Sequence, residues 1–393
     1  MRVLYLLSKI LQVTAIPYAL KAMGHEVGVY PHMLEDIDES DTVKEEFDSF
    51  VRRNSLDLVI STSFCTHAAE CTHRYGVKYA VYGMDSPQFE LWKPQAKYDN
   101  VYLFQFDSRE CQVLRENGYH NVWYMPLAIR DTGKVTVTGR DRDQYGAEVS
   151  FVGSVYTHNP FDELRGWITK EMEETAIGMM ESAAFLWDGT DHITEAFSKA
   201  DDPGWTRLAA ELRRAYIGIE EDIPDVYLLK HFVLDRKLTN LERSMILELL
   251  AENYDFRLYT RDGEIVSPRI RRFGEVDSDS EALKVFGASR INLNLTLRSI
   301  ETGLPLRIFD IMSMAGFVLT DYREDAAELF QEGRELVMYR TPEEMLEKTD
   351  YYLRHETERM QIGINARARV EADFTYEKQL GRIMKILSGP QSR

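Results

Sequence analysis

The sequence predicts an α/β protein built from two Rossmann-like, doubly wound domains. Short β-rich runs alternate with amphipathic stretches from residue 1 to 130, and the alternation resumes at 148. The polar stretch DTGKVTVTGRDRDQYGA at 131–147 separates the two series like a linker. The chain has 393 residues, which is too long for one ordinary hydrophobic core. A parallel sheet covered by helices on both faces requires this alternation.

Five strands are predicted in the first domain, 1–130: RVLYLL, DLVIST, KYAVYGM, VYLFQFD and NVWYMPLA, besides the EVGVY run that closes the first βαβ unit. The loop after the first strand, Ser8–Thr14, contains no glycine and therefore no dinucleotide fingerprint. The acidic run LEDIDESD at 34–41 is expected to be a solvated loop.

The second domain, 148–373, is predicted to carry a helical insertion at about 161–253 and the strands EVSFVGS, DFRLYT, RRFGEV, RINLNLT, FVLT and ELVMY. Three helices follow, at Pro342–His355, Glu356–Asp373 and Thr375–Leu387. The last helix and tail, 374–393, are expected to pack on the second domain or to cross back to the first.

Composition excludes several classes of function. The 65 acidic and 47 basic residues give a formal charge of −18, whereas nucleic acids and anionic membranes require a basic surface. No apolar run approaches the length of a bilayer span, and Met1 leads directly into a strand, so we expect no stable membrane insertion and a cytoplasmic protein. Three cysteines are too few for a disulfide framework.

The segment Ile291–Tyr322, INLNLTLRSIETGLPLRIFDIMSMAGFVLTDY, is the most informative part of the chain. It predicts a strand, a loop, a short helix that ends at Gly316 and a second strand. Arg307 and Asp310 fall near the start of that helix, where a doubly wound sheet offers a binding site to a phosphorylated ligand. A guanidinium can bind two phosphate oxygens at once, although a salt bridge from Arg307 to Asp310 or to a neighbouring helix is the alternative.

This segment, with Glu328, Leu329, Phe330 and the YYLRH run at Tyr351–His355, resembles the CgeB-like (spore-maturation) glycosyltransferases, a bacterial family. YAVYGMDSPQFELW, FQFDS and NVWYMPLA in the first half resemble the N-terminal domain that accompanies them. The resemblance implies a GT-B fold, in which two Rossmann-like domains face a cleft. It also implies transfer of a sugar from a nucleotide-sugar, with a UDP-sugar favoured, to an acceptor that the sequence does not identify. No metal or other cofactor is expected.

The resemblance also implies a role for Asp310. It occupies the position at which retaining GT-B enzymes have a glutamate that binds the ribose hydroxyls of the nucleotide. A carboxylate suits this role because it accepts two hydrogen bonds from a vicinal diol. The paired glutamate of those enzymes would fall at Thr302, whereas this chain has its glutamate at Glu301. Their mechanism therefore cannot be transferred unchanged.

Four further residues are candidates for donor binding. Gly153 and Ser154 end the first strand of the second domain, where the backbone can approach a pyrophosphate if no side chain intrudes. Tyr156 either lines the cleft or decorates the loop, and Arg298 is a second candidate cation. Asn292 and Asn294 alternate with apolar residues of a strand, and we expect structural hydrogen bonds from both.

Two residues of the first domain are candidates for the catalytic base. Asp85 follows a strand at its carboxyl end and could accept the proton of the acceptor hydroxyl, but an Asx turn ahead of Pro87 explains it equally well. His67, at the start of a helix, is the other candidate, and a packed or capping histidine is its alternative. The group Cys65, His67, Cys71 and His73 is not expected to bind zinc, because its members point to different helix faces.

Two other functions stay open at the level of sequence. A non-catalytic nucleotide-binding or spore-surface protein would keep the fold without the reaction. A sugar-nucleotide epimerase of the same architecture would convert the donor without any acceptor.

Overall fold

The structure is a computed structural model, and it describes residues 1–9, 13–130, 135–197, 203–215, 222–263 and 267–389. The predicted first loop, linker, helical insertion and tail each lie partly outside these ranges. The chain folds into two compact units. The first is drawn from Met1–Arg130, Tyr216–Ile223 and Phe374–Arg393, and the second from Asp131–Ala215 and Pro224–Asp373.

The first unit contains a six-stranded parallel sheet in the order β2-β1-β3-β4-β5-β6. Its elements up to residue 124 are β1 Arg2–Tyr5, α1 Ala15–Ala22, β2 Glu26–Val29, α2 Leu34–Glu39, α3 Asp41–Arg53, β3 Leu58–Ser61, α4 Thr66–Tyr75, β4 Lys78–Tyr82, β5 Val101–Gln105, α5 Ser108–Glu116 and β6 Val122–Tyr124. The three central strands β3, β4 and β5 are almost wholly buried, as expected of a parallel sheet covered on both faces.

The second unit contains a five-stranded parallel sheet in the order β11-β10-β9-β7-β8. Its elements are α6 Gly139–Tyr145, β7 Val149–Val152, α7 Pro160–Glu163, α8 Lys170–Ala183, α9 His192–Phe197, α10 Pro203–Ala215, α11 Asp225–Leu228, α12 Asp235–Asn253, β8 Phe256–Tyr259, α13 Glu281–Ala288, β9 Ile291–Asn294, α14 Leu306–Ser313, β10 Val318–Asp321, α15 Glu324–Leu329, β11 Val337–Tyr339, α16 Pro342–Arg354 and α17 Glu356–Asp373. A π-helical turn, Leu229–Leu234, joins α11 to α12.

The last helix, α18 (Tyr376–Ser388), belongs to the first unit, where it packs against α1. The backbone N–H of Ile129 donates to the carbonyl of Phe374 at 2.8 Å, and the Lys78 ammonium donates to the carbonyl of Leu387. The amphipathic sequence of α18 accounts for this packing, since its apolar face, which includes Leu380 and Ile383, is buried.

Two predictions from local pattern are wrong. The run RRFGEV forms only an isolated bridge, from Arg272 to Leu258, and no strand. The acidic run at 34–41 contains the helix α2, because Leu34 and Ile37 bury their side chains one turn apart. The polar stretch predicted as a linker contains α6, which the Thr138 hydroxyl caps by accepting a hydrogen bond from the Asp141 N–H.

The end of α14 packs closely on α17. After α14, Ala315 takes a left-handed conformation with φ of 53°, and a Cβ atom added at Gly363 on α17 would overlap the Ala315 carbonyl oxygen. Only a glycine lets the two backbones approach to this distance. This contact supports the strand-to-helix connection on which the candidate site below is built.

We expect Gly363→Ala to lower the free energy of unfolding by about 1–3 kcal/mol, because the added methyl group forces the two backbones apart. Gly178→Ala is the matched control, since Gly178 also lies within a helix but nothing surrounds its missing Cβ. That control should stabilise the protein by roughly 0.5–1 kcal/mol. Urea unfolding of both variants measures the difference, and equal effects would contradict the close-packing argument.

Candidate functional site

The strand order of the second sheet reverses between β7 and β9, the first and third strands of this unit. Ligands of open α/β sheets bind at such a point, in the crevice beyond the carboxyl ends of the strands. The chain leaves β7 through Gly153 and Ser154, and it leaves β9 through Leu295. The candidate site is therefore at these two strand ends.

Arg243, on α12, spans the two strand ends. Its Nη1 donates to the carbonyl oxygen of Ser154 at 2.5 Å, and its Nη2 donates to the carbonyl oxygen of Leu295. The side chain is buried, yet no carboxylate among the described residues lies within ion-pairing distance of it. No sequence pattern points to Arg243, because it lies inside a long helix without a recognisable motif.

Arg307, in the first turn of α14, approaches the same strand end. A Cβ atom at Gly153 would lie 2.5 Å from Nη2 of Arg307, so the absence of a side chain at Gly153 admits the guanidinium. The guanidinium lies 5.4 Å from the centre of the Phe151 ring, and that of Arg243 lies 5.2 Å from the same ring. Two cations thus share one aromatic ring.

Arg307 forms no ion pair with the described residues. Within the ranges that the structure describes, no carboxylate oxygen lies within 4.0 Å of its guanidinium. Burial, and then the positive charge of Arg243, lower the pKa of Arg307 to about 10, although Tyr156 and Asp310 act in the opposite direction. The site disfavours its own cations and would therefore bind an anion favourably.

Asp310 is buried one turn further along α14. It does not form the salt bridge to Arg307 that was the alternative explanation of this pair, although its charge raises the pKa of Arg307. The structure thus places Arg307, Asp310 and Gly153 in one region, and their roles in donor binding stay a prediction.

Ser154 and Tyr156 belong to the loop that follows β7. The Ser154 hydroxyl donates to the carboxylate of Asp262 at 2.9 Å, and the Tyr156 N–H donates to the same carboxylate at 3.2 Å. The Tyr156 ring lies 5.2 Å from the Arg243 guanidinium. These contacts place both residues beside the two arginines.

Arg298 is engaged elsewhere in the structure. Its Nε donates to Oε2 of Glu242 at 2.8 Å, its Nη2 pairs with the other carboxylate oxygen, and Nη1 donates to the carbonyl of Leu186 at 2.9 Å. Burial acts to lower the pKa of Arg298, but Glu242 outweighs it and raises that pKa. This geometry favours a structural role over the donor-binding role that the sequence suggested.

Asn292 and Asn294 make structural hydrogen bonds, as predicted. The Asn292 amide donates to the carbonyl of Phe286 at 3.0 Å, and the Asn294 amide donates to the hydroxyl of Thr320 at 3.0 Å. Both side chains are buried, and the bonds tie β9 to neighbouring segments of its own unit.

The two candidate bases lie in the first unit. Asp85 is exposed in the loop that follows β4. His67, in the first turn of α4, has its Nε2 at 3.0 Å from Asp48, which also binds Arg74 at 2.6 Å. His67 is therefore held in an ion-pair network.

A buried charged group, which sequence reasoning missed, lies beside the loop between β9 and α14. Lys230, in the π-helical turn, lies 2.7 Å from Glu301 and 3.2 Å from Asp235, and His231 lies 2.8 Å from Asp235. Burial acts to lower the pKa of Lys230, but the two carboxylates outweigh burial and raise it. Opposite charges compensate here, in contrast to the arginine pair.

One family model matches part of this chain, and solved structures share its fold. Residues 236–385 match a family model described as "Glycosyl transferase-like". No curated protein matches the chain by sequence.

Solved structures share the fold over nearly the whole chain. Anabaena HepE in complex with UDP-glucose is 11% identical, covers 99% of each chain and has a TM-score of 0.53. A Rickettsia africae glycosyltransferase is 14% identical, covers 98% of this chain and 97% of its own, with a TM-score of 0.53. Sucrose-phosphate synthase from Thermosynechococcus elongatus is 12% identical over 98% of both chains, with a TM-score of 0.53. The predicted fold class, two Rossmann-like domains of the GT-B type, is thereby confirmed.

Two features are absent from the part of the chain that the structure describes. Not one helix in the described ranges combines the length and the apolar character needed to cross a membrane. Across the same ranges, no three His, Cys, Asp or Glu side chains are grouped as a metal ion would require.

Replacing Arg298 or Arg307 by methionine should have different effects on the free energy of unfolding. Arg298→Met leaves Glu242 buried without its cation and should lower the free energy of unfolding by about 3–5 kcal/mol. Arg307→Met keeps the apolar stem and removes a repelled charge, so it should leave that free energy unchanged or raise it by roughly 0.5–2 kcal/mol. Denaturant unfolding compares the pair, and a loss of stability in Arg307→Met equal to that in Arg298→Met would show that Arg307 is structural.

Proposed function

We propose that this protein is a glycosyltransferase that transfers a sugar from a nucleotide-sugar to a hydroxyl-bearing acceptor. The observation that carries the proposal is the pair Arg307 and Arg243, two guanidiniums at the switch point of the second sheet without a carboxylate partner among the described residues. A nucleoside diphosphate supplies the negative charge that this pair lacks. The match to a glycosyltransferase-like family over 236–385 supports the same conclusion.

The donor in this proposal is a UDP-sugar. Anabaena HepE, which shares the fold, was solved with UDP-glucose and with UDP. HepE is 11% identical to this chain, and we propose uridine as the base of the donor. We also propose that the protein belongs with the CgeB-like enzymes and that the reaction needs no metal.

Arg307 has a defined chemical role in this reaction. As the bond between sugar and diphosphate breaks, negative charge develops on the departing nucleoside diphosphate. A guanidinium that is half-buried and already in position stabilises that charge with little reorganisation. Arg243, held by two carbonyls, keeps a second positive charge beside it. In this proposal Asp310 accepts hydrogen bonds from the ribose hydroxyls of the same donor.

Acceptor activation is assigned to the first unit. Asp85 is the preferred base, because it is exposed and follows the carboxyl end of β4. His67 is the other candidate, and its Nε2 lies 3.0 Å from Asp48. Ser154 and Tyr156 complete the donor side through the loop after β7.

Arg307→Ala should lower the rate of sugar transfer from UDP-sugars by about 10²–10³-fold, the usual effect of removing one transition-state donor. Arg307→Lys keeps the charge without the bidentate geometry and should retain part of the activity. The exposed Arg354, on α16, provides the control variant Arg354→Ala, which should be fully active.

A panel of labelled nucleotide-sugars, with and without a mixed set of hydroxylated acceptors, measures this transfer. Conversion of the donor sugar without any acceptor would identify an epimerase instead. Binding of UDP without turnover of any donor would identify a non-catalytic protein. Full activity of Arg307→Ala would show that Arg307 is not part of the donor site.

The choice of base is tested separately. Asp85→Asn should lower the rate of transfer by about 10²–10⁴-fold, with donor binding unchanged, because the amide cannot accept the proton. His67→Gln should transfer sugar at a rate within a few fold of the wild-type rate, provided that circular dichroism shows an intact fold. A loss of transfer in His67→Gln alone would reverse the assignment.

A further inference from the structure

The loop that leaves β7 has an unusual backbone. Gly153 has φ of 151° and Tyr156 has φ of 58°, so two of four consecutive residues take conformations that L-amino acids rarely adopt. Tyr156 carries a large side chain and gains nothing from this conformation by itself. Such a residue persists only where its surroundings hold it.

Asp262, which follows β8, holds this loop. Its carboxylate accepts hydrogen bonds from the Ser154 hydroxyl at 2.9 Å, the Tyr156 N–H at 3.2 Å and the Thr260 hydroxyl at 3.2 Å, and also from the Val155 N–H. Successive backbone N–H groups around a left-handed residue form a concavity that binds anions. In this protein a side chain of the same unit occupies that concavity.

The loop in turn holds Arg243. The Ser154 carbonyl accepts from Nη1 of Arg243 at 2.5 Å, and the Tyr156 ring lies 5.2 Å from the same guanidinium. The charge of Arg243 acts on Arg307 and lowers its pKa. Direct contacts therefore connect Asp262 through the loop to Arg243, and the charge of Arg243 acts on Arg307.

The same contacts limit how an anion can bind. The N–H groups of Val155 and Tyr156 are already used by Asp262, and the N–H of Gly153 donates to the carbonyl of Tyr259 at 2.9 Å. A phosphate at this strand end would thus meet the guanidiniums rather than these three amides. Affinity for the anion depends on how well Arg243 and Arg307 are placed.

We propose that Asp262 is a positioning residue of the anion site: its carboxylate fixes the loop after β7 and thereby sets Arg243 beside Arg307. This inference rests on the proposed function, since the anion is taken to be the diphosphate of the donor. Asp262 touches neither the donor nor the reacting atoms. Its removal lowers affinity by releasing Arg243, with the charge of both arginines intact.

Asp262→Ala tests the proposal by chemical rescue. The variant should bind UDP roughly 10- to 100-fold more weakly than the wild type, the scale expected when a binding group is displaced by about 1 Å. Acetate supplies a free carboxylate to the vacated loop and should restore most of the lost affinity. Isothermal titration with UDP, with and without acetate, measures both effects in the full-length protein.

Three controls accompany this titration. Asp143→Ala removes an exposed aspartate of the same unit and should bind UDP like the wild type. Arg307→Ala should lose affinity without recovery in acetate, because no carboxylate replaces a cation. Asp262→Asn, which keeps the volume and one acceptor oxygen, should show a smaller loss, and it carries the test if circular dichroism shows that Asp262→Ala is unfolded.

The outcomes separate the two proposals. If the wild type binds no nucleoside diphosphate, the proposed function and this inference both fail. If the wild type binds UDP and Asp262→Ala binds it equally well, only the inference fails. A loss of affinity that acetate does not restore would also overturn it, because Asp262 would then act through general destabilisation and not through the carboxylate contacts.

Discussion

Two guanidinium groups lie over one buried phenylalanine ring without a counter-ion among the described residues, and the candidate site depends on this arrangement. Arg243 is fixed by carbonyls at the ends of two neighbouring strands, so it cannot move away from Arg307 without losing both hydrogen bonds. Gly153 lets Arg307 approach. The fold thereby keeps the two positively charged guanidinium groups close together, although they repel each other. On an unconstrained surface they would move apart, and such unfavourable arrangements are typical of binding sites.

Most of the fold could be predicted from the sequence, because its information is local. Runs such as KYAVYGM and VYLFQFD are mostly apolar and do not alternate with polar residues, and the structure shows them as strands buried on both faces. The predictions of secondary structure fail where tertiary contacts determine whether a segment forms a helix or a loop. Leu34 and Ile37 turn an acidic run into a helix because a core is present to bury them, and nothing in the run itself reveals that core.

The site was less predictable, because it joins residues that are distant in sequence. Arg307 and Gly153 could be proposed, since each lies at a strand-to-helix junction with a recognisable pattern. Arg243 could not, because an arginine inside a helix is usually a solvated surface residue. Arg298 shows the converse: its junction suggested a ligand, but Glu242, on a helix far earlier in the chain, neutralises it. Only the folded structure shows which arginine has a carboxylate partner.

The acidic surface and the cationic site act over different distances. With a formal charge of −18, the chain repels polyanions at long range, but salt screens exposed charges beyond about 8 Å. Arg243 is buried and Arg307 is half-buried, so their attraction for an anion at contact is screened less. A compact dianion would meet these two cations at contact, whereas a nucleic acid would also bring many phosphates against a chain of net negative charge. The diphosphate of the proposed nucleotide-sugar donor is such a compact, doubly charged group.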